Sequence, residues 1–306
     1  MLIRTGDKVT KPPFGSTLDY GHPLAQGMVG GWLANEGAGG FIYDITSNGA
    51  TGTLTNMDPS SDWVGGPSGY VVDFDGVNDY ILVPHSSVFN LTKMTLFARM
   101  ILGGPATWRT ICSKLTGGAE GTFYFSIANN NRIDFFFSPM VDTYSTNTVA
   151  SGVVSTVAIT YDMQNIRFYI NGLLDQTVAE TRTPPTNTEN LLIGRNLPWG
   201  EYFLGLMDCL YVFNDAVSDS GIARLSTEPY CMIKSPVSRS YFFSSVAIVT
   251  KNRTLSLEWL GVNRSQRSTI LDELASLRAS PNGQPEWRKG LALARSVLID
   301  ERVSPT

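Results

Sequence analysis

The sequence predicts an all-β fold, a sandwich of two antiparallel sheets with an extended N-terminal arm and a C-terminal repeat tail. Hydrophobic residues make up 42% of the 306-residue chain and charged residues only 16%, a composition typical of a globular protein rich in short strands. About ten to twelve strand-like segments follow one another with no long helical pattern between them. We divide the chain into an arm (1–24), a sandwich (25–230), a connector (231–250) and a repeat tail (251–306).

The arm is predicted to be extended because Lys11-Pro12-Pro13 and His22-Pro23 disfavour helix. The sandwich then begins with a first strand at Met28–Leu33, and a turn follows at 37–40. Further strands are predicted where short apolar or alternating segments lie between turn residues. They are 70–73, 80–83, 94–102, 110–114, 122–128, 132–137, 156–161, 166–170, 190–193 and 202–213.

Turn residues separate these segments. Asp162–Asn165 predicts a hairpin before strand 166–170, and Asn171-Gly172 predicts the turn that follows it. Ile166, Phe168 and Ile170 alternate with Arg167 and Tyr169, which predicts one buried and one wetter face.

One short helix is predicted, over Ser218–Ser226. Ser218 is a suitable N-cap, and Asp219 suits the positive end of the helix dipole in the first turn. Ile222 gives an inward face, and Pro229 prevents the helix from continuing.

The last 56 residues contain a degenerate repeat. The pairs Glu258-Trp259, Asp272-Glu273, Glu286-Trp287 and Asp300-Glu301 recur at steps of 14 residues, which is two heptads. Asn282-Gly283 interrupts any single long helix, so short helices or turns are expected. Trp259 and Trp287 are candidate anchors for docking on a partner, because aromatic side chains dominate binding hot spots.

Charge and cysteine content narrow the partners. The net charge is −4, which argues against nucleic acid, although 251–306 carries +3 and the rest of the chain therefore −7. The sequence contains no run of about 18 apolar residues, so it predicts no membrane span. The N-terminus lacks the apolar core of a signal peptide. Three widely spaced cysteines, Cys112, Cys209 and Cys231, indicate folding in a reducing cytoplasm rather than a disulfide framework.

Motifs of catalysis are absent from the sequence. It contains no P-loop, HExxH or GxSxG motif, and His22 and His85, its only histidines, read as plain surface residues. No strand carries the alternating acids of sandwich glucanases, so the sequence predicts that the protein is not an enzyme.

Four stretches resemble the laminin-G-like, concanavalin A-like jelly-roll family: GMVGGWLANEGAGGFIYDITSNGATGTL (27–54), FDGVNDYILVP (74–84), VAITYDMQNIRFYINGLL (157–174) and 191–225. Together they cover about 200 residues in the family's order. The resemblance implies a jelly-roll of two packed sheets with carbohydrate or protein binding at loops, sometimes with calcium. The phrases PPFGSTLDYGHPLAQGMVGGW and STEPYCMIKSPVSRSYFF are also similar to segments of structural proteins of tailed bacteriophages.

The stretch FDGVNDYILVP has two interpretations. As a hairpin, its Asp, Asn and Gly residues form the turn, and Phe74, Tyr80 and Leu82 fill the core. As a cation site, oxygen atoms of the turn and of the loop 195–201 bind Ca²⁺, although Arg195 counts against this. The candidate metal ligands are Asn78, Asp79, Asn196 and Glu201. The hairpin interpretation requires no cofactor, whereas the cation-site interpretation requires bound Ca²⁺, and the sequence leaves both interpretations open.

Sugar binding requires an aromatic platform beside polar groups. Trp108 and Trp199 lie in predicted loops bounded by Gly and Pro. The candidate glycan-binding residues are these two, Asn196 beside Trp199, and Tyr144 in the stretch DTYSTNT. Trp32 and Trp63 are instead interpreted as packing residues.

The main hypothesis is a non-enzymatic virion structural protein of a tailed phage, made in the host cytoplasm and located in the virion. Capsid decoration or a tail or fibre accessory role would use the arm and tail to bind other virion proteins, and self-association as a homo-oligomer, for instance a trimer, is expected. The alternatives are a lectin module that binds a cell-surface glycan on the host and, less favoured, a glycan-cleaving enzyme on the same sandwich.

Overall fold

Strands account for most of the regular structure. A computed structural model of the protein describes residues 9–139 and 141–236. In this part of the chain, the strands are β1 Thr17–Leu18, β2 Met28–Trp32, β3 Phe41–Ile42, β4 Gly52–Thr55, β5 Trp63–Gly66, β6 Gly69–Asp75, β7 Tyr80–Val83, β8 Met94–Leu102, β9 Arg109–Leu115, β10 Gly121–Ile127, β11 Arg132–Phe136, β12 Thr143–Thr148, β13 Val154–Tyr161, β14 Asn165–Ile170, β15 Leu173–Ala179, β16 Leu191–Ile193, β17 Leu204–Phe213 and β18 Ile233–Lys234. One helix, α1 Asp219–Thr227, and two 3₁₀ turns, Pro23–Ala25 and Ser87–Phe89, complete this set.

Two eight-stranded antiparallel sheets form the sandwich. Sheet I has the order β12-β11-β10-β9-β16-β7-β4-β3. Sheet II has the order β15-β14-β13-β8-β17-β6-β5, and β2 also pairs with β17. Many neighbours in each sheet are distant in sequence, as β16 between β9 and β7 illustrates. The predicted all-β, antiparallel two-sheet sandwich is confirmed and is consistent with a jelly-roll.

The central strands match their predicted positions closely, because each is a long apolar or alternating segment. β7 and β8 have the predicted bounds, and α1 begins after Ser218, whose side chain accepts a hydrogen bond from the amide of Gly221. The turn Asn171-Gly172 has positive φ at both residues, 50° and 79°, as a two-residue hairpin requires.

Several strands were missed by the sequence analysis. Five of them are short or polar and lie near the edges of the two large sheets, where one-sided packing leaves little apolar pattern: β3, β4, β5, β12 and β15. The other two, β1 and β18, have two residues each and pair with one another.

The main core lies between the two sheets. Phe125 of sheet I and Leu96 of sheet II are both fully buried in it. Trp32 and Trp63 are buried in this core, which confirms their predicted packing role. Cys112 belongs to the same core, where its thiol packs as a small apolar group.

The prediction for the FDGVNDYILVP strand was wrong in its register. Phe74 is buried as predicted, but Ile81 and Val83 fill the core, whereas Tyr80 and Leu82 are only half-buried. The turn carries the chain from β6 of sheet II to β7 of sheet I, so the alternation of β6 does not continue into β7, and the opposite set of side chains faces the core there.

A second apolar cluster covers the outer face of sheet II. Ile222 and Leu225 of α1 pack there against strand residues such as Tyr169, whose hydroxyl donates to the carboxylate of Asp219 (2.8 Å). The face of β14 that was predicted to be wetter is therefore buried at Tyr169. Helix α1 buries this face, and the alternation within a single strand does not predict such a contact.

Residues 9–24 of the arm also lie on this face. β1 pairs with β18, and Leu18 and Met232 are buried in the second cluster. The sequence set these segments apart from the sandwich as arm and connector, but in the structure they form part of its outer layer.

A buried ionic cluster joins the arm to the neighbouring strands β8 and β17 of sheet II. The ammonium of Lys11 lies 2.6 Å from Oδ1 of Asp208, which also pairs with the guanidinium of Arg99. Ser68 donates to Oδ1 of Asp208 (2.7 Å) and Tyr230 to its Oδ2 (2.7 Å). Burial alone would raise the pKa of Asp208, but the charges of Lys11 and Arg99 outweigh it and lower that pKa.

Candidate functional site

The site we describe lies on the outer face of sheet I, where β10, β11 and β12 run side by side. Tyr124 pairs with Phe136 across β10 and β11. Asp134 pairs with Ser126 of β10 on one side and with Tyr144 of β12 on the other. Because side chains alternate between the faces of a strand, these five residues share one face.

The alternation that builds this face is visible in β10. Phe123 and Phe125 turn inward and are fully buried between the sheets. Tyr124 and Ser126 then turn outward. In β11, Ile133 likewise turns inward and leaves Asp134 on the outer face.

The loop from 194 to 203, between β16 and β17, folds over this face. The side-chain oxygen of Asn196 accepts a hydrogen bond from the amide of Trp199 (2.9 Å), which fixes a tight turn. The same side chain donates through Nδ2 to Oε2 of Glu201 (2.7 Å) and to the hydroxyl of Thr110 on β9 (2.8 Å). Asn196 therefore ties the loop to the sheet.

Trp199 is the exposed ring of the site. Its centroid lies 5.4 Å from that of Tyr124 and 6.4 Å from that of Phe136, both in edge-to-face geometry. The two sheet rings are buried, whereas Trp199 stays 50% exposed. Edge-to-face pairs at these distances are favourable and hold the indole in place.

Glu201 links the ring cluster to the polar groups. Its Oε2 accepts from the hydroxyl of Tyr124 (2.6 Å) as well as from Asn196, whereas no hydrogen bond in the described residues occupies its Oε1. Burial, with the nearby charge of Glu201, raises the pKa of Tyr124, so its hydroxyl stays protonated and donating. We call this surface the aromatic–acid patch. It comprises Tyr124, Asp134, Phe136, Asp142, Tyr144, Asn196, Trp199 and Glu201.

Asp134 is the most perturbed acid of the patch. It is fully buried; its Oδ2 accepts from Ser126 (3.2 Å), whereas its Oδ1 has no hydrogen-bond partner. Burial, together with the nearby carboxylate of Asp142, raises the pKa of Asp134 to about 8. Burial also raises the pKa of Tyr144 to about 12, and the guanidinium of Arg132 lies 5.6 Å from that ring.

The arrangement offers an aromatic surface beside hydrogen-bonding oxygens. Saccharides place C–H faces on rings and hydroxyl groups on carboxylates and amides, so Trp199 and Glu201 are suited to such a ligand. Among the described residues, no group of three or more His, Cys, Asp or Glu side chains is arranged to hold a metal ion.

The candidate glycan-binding residues are partly brought together. Asn196 and Trp199 share one loop, and Tyr144 lies in strand β12, directly opposite Asp134 of β11. Trp108 is half-buried just before β9, two residues from Thr110, and no ring contact in the described residues joins it to the patch.

Other patch residues were not found from the sequence. They are Tyr124, Asp134, Asp142 and Phe136. A signal was present for one of them, because Asp134 is the single acid within the apolar strand RIDFF. A carboxyl group at such a position is either buried within the fold or lies in a functional site.

The candidate cation ligands have other partners in the structure. Oδ1 of Asp75 accepts from the amide of Val77 (2.7 Å), and Oδ2 of Asp79 accepts from the amide of Asp75 (3.0 Å). These carboxylates thus close a tight turn, as predicted. The turn joins β6 of sheet II to β7 of sheet I, however, so it is a connection between the sheets and not the predicted hairpin. The side chain of Asn78 is exposed, and Asn196 and Glu201 bind each other in the patch.

The predicted docking anchors, Trp259 and Trp287, lie outside the described residues. Among the residues that the structure does describe, no helix is long and apolar enough to cross a membrane.

Comparison with known proteins supports the sandwich. Residues 75–223 match the concanavalin A-like lectin/glucanases superfamily. No curated protein matches the chain. This part of the chain is therefore similar to that superfamily, and the two-sheet fold is consistent with the similarity.

Solved structures share the fold at low sequence identity. One is domain 4 of AbnA, a GH43 extracellular arabinanase from Geobacillus stearothermophilus, in complex with arabinotriose (TM-score 0.54, 18% identity, 65% of this chain and 98% of that chain). Another is the binding domain of Paraclostridial Mosquitocidal Protein 1 (TM-score 0.53, 13% identity, 68% and 53%). A third is Trypanosoma rangeli sialidase, of which the chain covers 33% (TM-score 0.50, 14% identity, 67% of this chain).

Proposed function

We propose that this concanavalin A-like sandwich is a non-catalytic saccharide-binding module and that the aromatic–acid patch is its binding surface. The observation that carries the proposal is the half-exposed indole of Trp199, held on edge by Tyr124 and Phe136 beside the free oxygen of Glu201. The arabinanase domain of similar fold was solved with arabinotriose, a ligand of the same class.

The ring is positioned before any ligand arrives. Asn196 fixes the turn that carries Trp199, and Thr110 fixes Asn196 on the sheet. A preformed platform loses little conformational entropy on binding, which favours affinity for a small ligand.

A glycan array tests this function. The full chain is applied with and without a chelator, and binding to at least one saccharide class is expected. Trp199→Ala should weaken that binding at least tenfold, because ring stacking is lost while the fold is kept. The matched control is Tyr70→Ala, which removes a ring that is 52% exposed on sheet II. An array with no signal in either condition would refute the proposed function.

The two chelator conditions also test the calcium hypothesis for Asn78, Asp79, Asn196 and Glu201. Binding that depends on Ca²⁺ would support it, and binding that is unchanged by the chelator would count against it. We expect no release of reducing sugar from polysaccharides, since the proposal assigns Glu201 to positioning Tyr124 and Asn196 and to binding ligand hydroxyl groups rather than to chemistry.

A second candidate function is attachment within the virion of a tailed phage, as a capsid decoration or a tail or fibre accessory protein. The 14-residue repeat in 251–306 and the phage-like phrases of the arm favour it. Trp259 and Trp287 would anchor the chain on other virion proteins. The sandwich would present the patch to host glycans. The protein would form a homo-oligomer, for instance a trimer.

Removing 251–306 tests this second function. Loss of incorporation into particles is expected, and full occupancy by the truncated chain would refute attachment through the tail. Light scattering of the full chain checks the oligomeric state.

A further inference from the structure

We infer that Arg195 and the two tyrosine rings around it form a second subsite, which binds the carboxylate of an acidic sugar, uronic or sialic. We call Arg195, Tyr80 and Tyr202 the arginine clamp. The inference rests on the proposed function, because the loop that carries Trp199 over the aromatic–acid patch carries the clamp on its other side.

The loop separates the clamp from the patch. Arg195 and Tyr202 pair across the base of the loop. The next pair is Asn196 with Glu201, joined by a backbone hydrogen bond of 3.3 Å. Successive paired residues place their side chains on opposite sides. The side chains of Asn196 and Glu201 reach β9 and β10, whereas that of Arg195 reaches β7, and the order β10-β9-β16-β7 puts these contacts on opposite sides of the loop.

The guanidinium of Arg195 is held in place by rings. Its Cζ lies 4.8 Å from the ring centroid of Tyr80 and 5.4 Å from that of Tyr202. The backbone of Arg195 is fixed as well, since its carbonyl accepts a hydrogen bond from the hydroxyl of Ser113 on β9 (2.9 Å). Ring contacts use the face of a guanidinium and leave the N–H groups in its plane free to donate.

Among the described residues, Arg195 is the one arginine without a hydrogen bond or an ion pair. The others all donate to an oxygen atom: Arg99, Arg109, Arg132, Arg167, Arg182 and Arg224. Nε of Arg195 is buried and unpartnered, whereas Nη1 and Nη2 are unpartnered but open to solvent. Donors without an acceptor in a half-buried position are unfavourable, so an acceptor from a ligand stabilises them.

The acids nearby in the chain do not pair with the clamp. Asp75 and Asp79 lie in the turn before Tyr80, but Oδ1 of Asp75 accepts from the amides of residues 77–79, and Oδ2 of Asp79 accepts from the amide of Asp75. Glu201 faces the patch on the other side of the loop. The planar fork of Arg195 therefore keeps its positive charge unpaired within the described residues, and it matches a carboxylate in bidentate geometry.

Matched oligosaccharides test the clamp. Hexamers of α-1,4-linked galacturonate, β-1,4-linked glucuronate and α-2,8-linked sialic acid are compared with their methyl esters, which keep the backbone and lose the charge. The full chain is titrated with each hexamer by calorimetry at neutral pH. At least one acid should bind about tenfold more tightly than its ester, because the ester cannot form a charge-assisted bidentate pair. A hexamer of glutamate has the charge without the sugar rings and should bind more weakly than that acid.

Variants of the clamp identify the cause. Arg195→Lys should remove most of the acid preference, because an ammonium keeps the charge but lacks the planar fork. Arg195→Met keeps apolar contact with the rings and should remove the preference entirely. Both should leave binding of the methyl ester unchanged, which separates loss of the carboxylate partner from damage to the fold. Arg224→Lys is the matched control, since Arg224 is an exposed arginine paired with Glu228 on α1, and it should leave the preference unchanged.

The outcomes separate the inference from the proposed function. Esters that bind as tightly as the acids, or an acid preference undiminished in Arg195→Met, would overturn the clamp as a carboxylate site. A glutamate hexamer that binds as tightly as the sugar acids would overturn a saccharide as the source of the carboxylate. In each case, array binding that requires Trp199 would leave the proposed function intact. Binding of no hexamer, together with an empty glycan array, would refute both.

Discussion

Replacing Asp134 by Asn should remove a pH-dependent instability of the fold. The side chain is fully buried, and burial with the charge of Asp142 raises its pKa from an ordinary value near 3.8 to about 8. At neutral pH the folded protein therefore holds this carboxyl as the neutral acid, whereas the unfolded chain ionises it. That difference favours the unfolded chain.

The sign and size follow from linkage. A group whose pKa is raised by folding binds more protons in the folded state, so stability falls as the pH rises between the two pKa values. Each pH unit in that interval costs about 1.4 kcal/mol, or about 3 kcal/mol between pH 5 and 7. Asn cannot ionise, so Asp134→Asn should gain this amount relative to the natural chain over the same interval.

Urea unfolding at pH 5, 6 and 7 measures the effect. The quantity to compare is the difference in free energy of unfolding between variant and natural chain, which should rise steadily with pH. A constant offset from altered packing does not change this slope. Asp215→Asn, an exposed acid, should give no slope. A flat difference for Asp134→Asn would refute the burial of an uncharged carboxyl under the patch.

Three further changes test the fold. Lys11→Ala should cost about 3–5 kcal/mol in urea unfolding, because Asp208 loses one of its two buried cationic partners; a loss below 1 kcal/mol would show that this end of the chain is not fixed to the sandwich. Gly205→Ala should lower the melting temperature in calorimetry, because a Cβ there would lie 2.2 Å from the carbonyl of Ile101 at a φ of +129°; an unchanged melting temperature would contradict that close approach. Ser218→Ala should lose about 1 kcal/mol with the N-cap of α1, while Ser218→Asp should retain most of it.

The tertiary structure changes how the predicted arm is interpreted. Lys11 lies 197 residues before Asp208, and its ammonium also donates to the carbonyl of Ala34 (3.1 Å). A lysine next to two prolines gives no sign of such burial in the sequence. The described part of the arm therefore stabilises the sandwich, and attachment to a partner rests on the proposals for 251–306.

The candidate site also contains residues that the sequence predicted and residues that it did not. Trp199 and Asn196 were found because a tryptophan in a Gly/Pro-bounded loop is a recognisable platform, and the hydrogen bond between them is local. Tyr124 was not found, because a tyrosine between two phenylalanines reads as part of a core strand.

Features that depend on neighbouring residues could be predicted from the amino-acid pattern: the period of the central strands, the turn at Asn171-Gly172, the cap of α1 and the all-β class. Which faces are covered and which side chains meet, such as Trp199 on Tyr124 or Lys11 beside Asp208, became evident from the folded structure. Strand pairing joins segments that are far apart in the chain. Register and layer contacts are set by packing over the whole sandwich, and a local pattern contains no record of its distant partner.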